Sequence, residues 1–125
     1  MVPVFGKPDG KSIKLKKSDE FMIPAPAELE GLSGIYAVVP NSKRLGGFIP
    51  ESSYVFVNIN AKIAVGDLAV CIDDDFSEIA TDQVVNAQIV TLRQDSHGKI
   101  YGHVSNPEEK VTGKTMHKVI MIVMK

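Results

Sequence analysis

The sequence predicts a mostly β fold, twisted and partly barrel-like, with little helix. Short runs rich in β-branched and aromatic residues recur along the chain, each bounded by Gly, Pro, Asn or Asp. The stretch Ile23-Pro24-Ala25-Pro26-Ala27-Glu28-Leu29-Glu30 cannot be a central strand, because prolines lack a ladder donor and force their predecessors extended. The closing run His117-Lys118-Val119-Ile120-Met121-Ile122-Val123-Met124 is dominated by residues that suit a pleated surface better than a helix.

Residues 1–20 carry three prolines or glycines in Pro3, Gly6 and Pro8, then Gly10 and the lysines Lys11, Lys14, Lys16 and Lys17. They read as an irregular arm or tether, its lysines solvated, leaving a β domain over residues 21–125. A helical turn after Pro26 is the most helix that segment 21–34 allows, since proline fits the first turn of a helix. Strands are expected at 34–40, 53–59 and 67–72, and a longer one from Gln83 to Arg93. Gln94-Asp95-Ser96-His97-Gly98 reads as a hairpin turn into a strand from Lys99 to Val104. The apolar faces around Tyr36, Val55, Leu68, Ile89 and Ile100 are expected to share one core. The closing run, apolar on both faces, suits a strand that is covered on both sides or sits at an interface.

A chain of 125 residues with 44% hydrophobic content is enough for one domain with an ordinary core. Its 14 basic and 15 acidic side chains give a net charge near -1, so no global field draws it to nucleic acid or anionic lipid. No signal peptide and no apolar stretch of about 18 residues is present, which predicts a cytoplasmic protein without a membrane partner. The lone Cys71 sits in an apolar run with no cationic neighbour, so it reads as a buried thiol rather than a nucleophile. His97, His103 and His117 have no ligand spacing, and the acidic run Asp73-Asp74-Asp75-Phe76-Ser77-Glu78 lacks the glycine and spacing of a calcium loop. No metal and no cofactor is expected. There is no Gly-rich phosphate loop after a strand and no helix-turn-helix pattern.

The order of segments resembles the C-terminal domain of LexA-like and lambda-type phage repressors. That family opens on a Pro-Val-Tyr-Gly-like stretch, where this chain has Pro3-Val4-Phe5-Gly6, and continues through a proline-rich stretch, here Ile23 to Leu29. Its strand close to Tyr-Ala-Val resembles Tyr36-Ala37-Val38, its Val-Phe-Val-Asn strand Val55-Phe56-Val57-Asn58, and its Gly-Asp the pair Gly66-Asp67. Its Asn-Pro turn is similar to Val104-Ser105-Asn106-Pro107 and its closing strand to His117-Lys118-Val119, so the likeness spans nearly the whole chain.

The resemblance implies intramolecular chemistry, in which a serine activated by a buried, uncharged lysine cuts an Ala-Gly or Cys-Gly bond in the same domain's arm; burial makes the amine usable as a base. This chain departs from that pattern three times. Counting from Tyr36 without gaps puts Arg44 at the serine position, and Ser42 is the only hydroxyl that a small shift could bring there. No lysine lies between Lys62 and Lys99; Val90, Thr91 and Leu92 occupy the expected place, and the nearby Arg93 stays protonated. No Ala-Gly or Cys-Gly occurs, Phe5-Gly6 being the nearest substitute in the arm.

The reading is therefore an oligomerisation and regulatory domain of a phage-type transcriptional repressor that has lost self-cleavage. Its DNA contact would be made through a separate domain, and its induction through a partner such as an antirepressor protein. A homo-oligomer is expected, with Val119, Ile120, Met121, Ile122 and Val123 at or near the interface. The alternative from the same family is an active serine-lysine self-processing peptidase, with Ser42 as nucleophile and Lys99 or Lys62 as base. A third reading is a stand-alone β binding module unrelated to repressors.

Overall fold

The computed structural model describes residues 1–9, 12–16, 21–40, 53–74, 85–105 and 108–124. Its strands are β1 (Val2–Phe5), β2 (Lys7–Asp9), β3 (Ser12–Leu15), β4 (Phe21–Ile23), β5 (Ile35–Val38), β6 (Ser53–Asn58), β7 (Leu68–Ile72), β8 (Val85–Gln94), β9 (Ile100–Ser105), β10 (Glu108–Val111) and β11 (Thr115–Met124). The mostly β expectation holds. All belong to one mixed sheet, in the order β10-β9-β8-β7-β11-β6-β5-β1-β4, with β2 pairing β3 and β3 pairing β8. A single 3₁₀ turn, Ala27–Leu29, follows Pro26 and lays the buried Leu29 on the sheet.

The described residues among 1–20 depart from the irregular arm that the sequence suggests, forming β1, β2 and β3. Val2, Val4 and Phe5 are buried on β1, and Ile13 and Leu15 are buried on β3. β1 runs parallel to β5, pairing Val4 with Ala37, and antiparallel to β4. Past Gly6 the chain continues as β2, which pairs antiparallel with β3, and β3 pairs Ile13 with Ala87 of β8 at the other end of the sheet. The sheet thus curls back on itself, but the joint at Gly6 is the chain itself rather than a ladder, and the curl does not close into a barrel.

The curl creates an inside. Phe5, Ile13 and Leu15 from the N-terminal strands meet Tyr36, Val38, Val55 and Val57 from one half of the sheet and Val70, Ile72 and Ile89 from the other. Leu68 packs against this cluster from its margin. Ile100, expected in the same core, faces the other way, beside Ala69, Cys71, Val90 and Leu92. The reason is the alternation of the pleat: Val90 and Leu92 point to the face opposite Ile89. A third cluster, Val2, Val4, Leu29, Ala37 and Phe56, covers the same outer face at the β1–β6 end.

Gly6 allows the turn from β1 to β2 because its φ is 118°, a region open to glycine and costly for other residues. A Cβ there would also lie 2.9 Å from the Val39 backbone nitrogen, which donates to the Phe5 carbonyl at 3.0 Å. Gly6→Ala is therefore expected to cost roughly 3 kcal/mol or more, from backbone strain and a clash with immobile backbone. Gly31→Ala also places a side chain at positive φ, but with nothing within 4 Å of the added Cβ. It should cost about 1 kcal/mol. Urea unfolding midpoints of the two variants check the difference; equal losses would refute the bend as a packing constraint.

Candidate functional site

β11 supplies the residues on which a functional reading turns. It bridges two strands, pairing antiparallel with β7 over Thr115–Lys118 and with β6 from Lys118 to Met124. The two ladders overlap only at Lys118, so from Val119 to Met124 the strand is paired on its β6 side alone among the described residues. A bulge interrupts its ladder with β6: Val119 faces Val57, Met121 faces Phe56, and Ile120 is the extra residue. In consequence Val119 packs into the inner cluster, while Ile120 and Met121 both pack against the outer one around Phe56. Lys118, the only charge within the run, reaches Asp67 at 3.6 Å.

Beyond the bulge the strand loses its cover. Ile122, Val123 and Met124 are 37%, 36% and 66% exposed. The bulge reverses which side chain lies on which face, so that Val123 stands opposite Tyr54. The Tyr54 ring lies 6.3 Å from the ring of Phe21 on β4, and Phe21 and Met22 are 45% and 46% exposed. Val123, Tyr54 and Phe21 form one partly bare apolar surface over cluster residues Met121, Phe56, Ala37 and Val4. Of the five expected interface residues, Val119 belongs to the core, Ile120 and Met121 are half-covered, and Ile122 and Val123 reach solvent. Phe21 and Tyr54 are absent from that expectation, because they lie 102 and 69 residues from Val123 in the sequence and only the ladder order β4-β1-β5-β6-β11 joins them.

His117 points inward. Its Nδ1 lies 2.7 Å from the Tyr36 hydroxyl, and the two buried rings meet edge to face at 5.6 Å. Phe5 packs on the other side of Tyr36, with ring centroids 6.1 Å apart. One partner must donate: the hydroxyl to Nδ1, or Nδ1–H to the hydroxyl oxygen. Both suit neutral rings, and burial favours neutrality, pushing the tyrosine pKa up and the histidine pKa down. The pair ties β5 to β11 within the inner cluster.

Elsewhere the chemistry is sparse. Cys71 is a buried thiol whose pKa is pushed up to about 11, first by burial and then by the Asp73 carboxylate. It lines a cleft of about 100 Å³ with Asp73, Asn86, Gln88 and Thr112. Asp73 is engaged there, accepting from the Asn86 backbone nitrogen at 3.0 Å and from its side chain at 3.2 Å. Its neighbour Asp74 pairs with Lys114. Positions 75–78 of the acidic run lie outside the described residues.

His103 contacts Glu108 at 3.2 Å, and His97 lies in the exposed β8–β9 turn, where Asp95 accepts from the backbone nitrogens of His97 and Lys99. Among the described residues no group of His, Cys, Asp and Glu is placed to hold a metal ion. Ser42 and Arg44 lie outside the described residues. Of the lysines that could serve Ser42, Lys62 and Lys99 are both exposed, and Val90 and Leu92 are buried on the outer face beside Cys71.

Among the described residues no helix is long and apolar enough to cross a membrane. No family model matches the chain, and no curated protein is significantly similar to it. The likeness to phage repressors rests on the order of its segments.

The His117–Tyr36 pair makes stability depend on pH. The folded chain holds His117 below its ordinary value of 6.5, so the unfolded chain binds more protons on acidification. Stability should be level above about pH 6.5 and fall as the pH drops below it, flattening once the folded state also takes the proton. Urea midpoints measured from pH 8 to pH 5 test this, and a double variant, Tyr36→Phe with His117→Leu, should remove the step. Tyr36→Phe alone should cost about 1–2 kcal/mol at neutral pH, since it withdraws the hydroxyl from a buried nitrogen.

Proposed function

We propose that this domain is the self-associating, regulatory part of a phage-type transcriptional repressor and that it does not cleave itself. The observation that carries the reading is the apolar surface formed by Val123 with Tyr54 and Phe21. It lies on well-paired strands rather than on a loop, so it is a rigid surface, and contiguous apolar surface on a soluble domain commonly marks an interaction site. A closed two-fold dimer is the commonest arrangement for identical subunits.

Joining two copies would join two DNA-reading segments carried elsewhere. The second half-site contact then becomes intramolecular, raising apparent affinity by roughly two to four orders of magnitude without any new contact to DNA. The near-zero net charge fits a module that leaves nucleic acid to another segment. Release would come from outside, through a protein such as an antirepressor that competes for the apolar surface or for the joined state. The lack of an Ala-Gly or Cys-Gly bond and of any lysine between Lys62 and Lys99 supports induction without self-cleavage.

Sedimentation equilibrium at micromolar concentration should show a dimer or larger assembly. Val123→Asp should weaken it about tenfold or more, because a carboxylate desolvated at an apolar contact costs roughly 2 kcal/mol or more. Its circular dichroism should match the parent, since Val123 already reaches solvent. A parent chain that stays monomeric would refute the association. Incubation at alkaline pH, which deprotonates lysine, should leave the mass unchanged; a fragment cut near Phe5-Gly6 and abolished by Ser42→Ala would refute the loss of cleavage.

A further inference from the structure

Three strands have a single partner strand among the described residues, and they are not alike. β10 is Glu-Glu-Lys-Val and β2 is Lys-Pro-Asp, and charge and proline are the usual means by which a protein keeps a sheet edge from pairing with another chain. β4 is Phe-Met-Ile, with no charge and no proline within it, and its first two side chains are nearly half exposed. An apolar, unguarded edge invites strand addition.

The backbone of β4 is also set for it. β1 and β4 pair antiparallel with Pro3 opposite Met22. Antiparallel partners alternate between pairs that exchange both backbone bonds and pairs that exchange none. Pro3 has no N–H to give, which fits the second kind. Met22 then directs its N–H and its C=O away from β1, toward the open side. One residue presenting both a donor and an acceptor outward is what a two-fold axis needs, since its copy presents the same two groups in the opposite sense.

Resting on the self-association proposed above, we propose that two copies join through β4, antiparallel about Met22 on a two-fold axis, to form one sheet that runs through both. In that register Met22 exchanges both bonds with Met22 of the second copy, and Phe21 of each copy faces Ile23 of the other on the face that carries Tyr54. No charged side chain of β4 stands in the way, so like charges do not meet, whereas pairing two copies of β10 would bring its glutamates together. The apolar surface of Phe21, Tyr54 and Val123 abuts the joint and is extended across it by the same residues of the second copy.

The test uses the whole chain. Hydrogen exchange of the Met22 amide is followed from dilute to micromolar protein beside sedimentation, and Met22→Pro is compared with Met22→Ala. Met22→Pro withdraws only an outward N–H, so circular dichroism in the dilute sample should be unchanged while self-association weakens tenfold or more. Met22→Ala keeps the N–H and should retain most of the association. In the parent, the Met22 amide should slow as the dimer fills.

A parent that is dimeric while its Met22 amide exchanges freely, with Met22→Pro associating as the parent does, would overturn the β4 joint and leave self-association standing through another surface. A parent that is monomeric at every concentration would overturn both. Should Met22→Pro fail to fold, the amide exchange of the parent decides alone.

Discussion

The antiparallel pairing of β11 to two strands at once is the constraint on which the rest of this structure depends. On one side stand β7, β8, β9 and β10, and on the other β6, β5, β1 and β4. Without β11 these are two small sheets, each with an apolar edge. With it they share a ladder and a common inner face, on which Tyr36, Val55 and Val57 can meet Val70, Ile72 and Ile89. The N-terminal strands then have something to span, and β3 can reach β8 over the filled interior. The bend at Gly6 makes that second connection, so the two halves are held along a ladder at one place and by the folded-back chain at another.

The bulge at Ile120 divides β11 into two segments with different tasks. Before it, side chains alternate between the inner cluster and the Cys71 cluster, and His117 lies buried against Tyr36. After it, the parity is reversed and the strand runs out to solvent with Val123 beside Tyr54. The buried polar pair and the bare apolar surface are thus a few residues apart on one strand but on opposite sides of a local irregularity. A polar pair inside an apolar cluster is weak evidence for stability, yet it favours the strand arrangement that brings Tyr36 to His117, since a buried polar group left unmatched is costly.

How much of this was legible in the sequence depends on what each strand buries. β5 to β9 and β11 bury apolar residues at close spacing, and their existence could be read from composition and turn residues. β1, β2 and β3 could not be read so easily, since Pro3, Gly6, Pro8, Gly10 and the lysines resemble a linker. A signal was nonetheless present: in Ser12-Ile13-Lys14-Leu15 the apolar residues alternate with polar ones, and Ile13 and Leu15 are buried while Lys14 is exposed. β10 escaped because an edge strand buries little, here Val111. The apolar surface was half legible, as an uninterrupted run near the end of the chain. The bulge, the central position of β11, and the arrival of Phe21 and Tyr54 beside Val123 are products of strand order, and no local pattern carries that. The Tyr36–His117 contact joins residues 81 apart and is invisible to spacing for the same reason.

Among the described strands, the central one is also the last to be made. As the chain leaves the ribosome, β5 with β6 and β7 through β10 can form as hairpins and meanders, but the strand that unites them arrives after all the others. Until then both flanking strands present unpaired apolar edges, and the interior has only partial walls. The domain is therefore built to complete itself in a single late step, and a chain without β11 would lose not a loose tail but the strand that joins the two halves of its sheet.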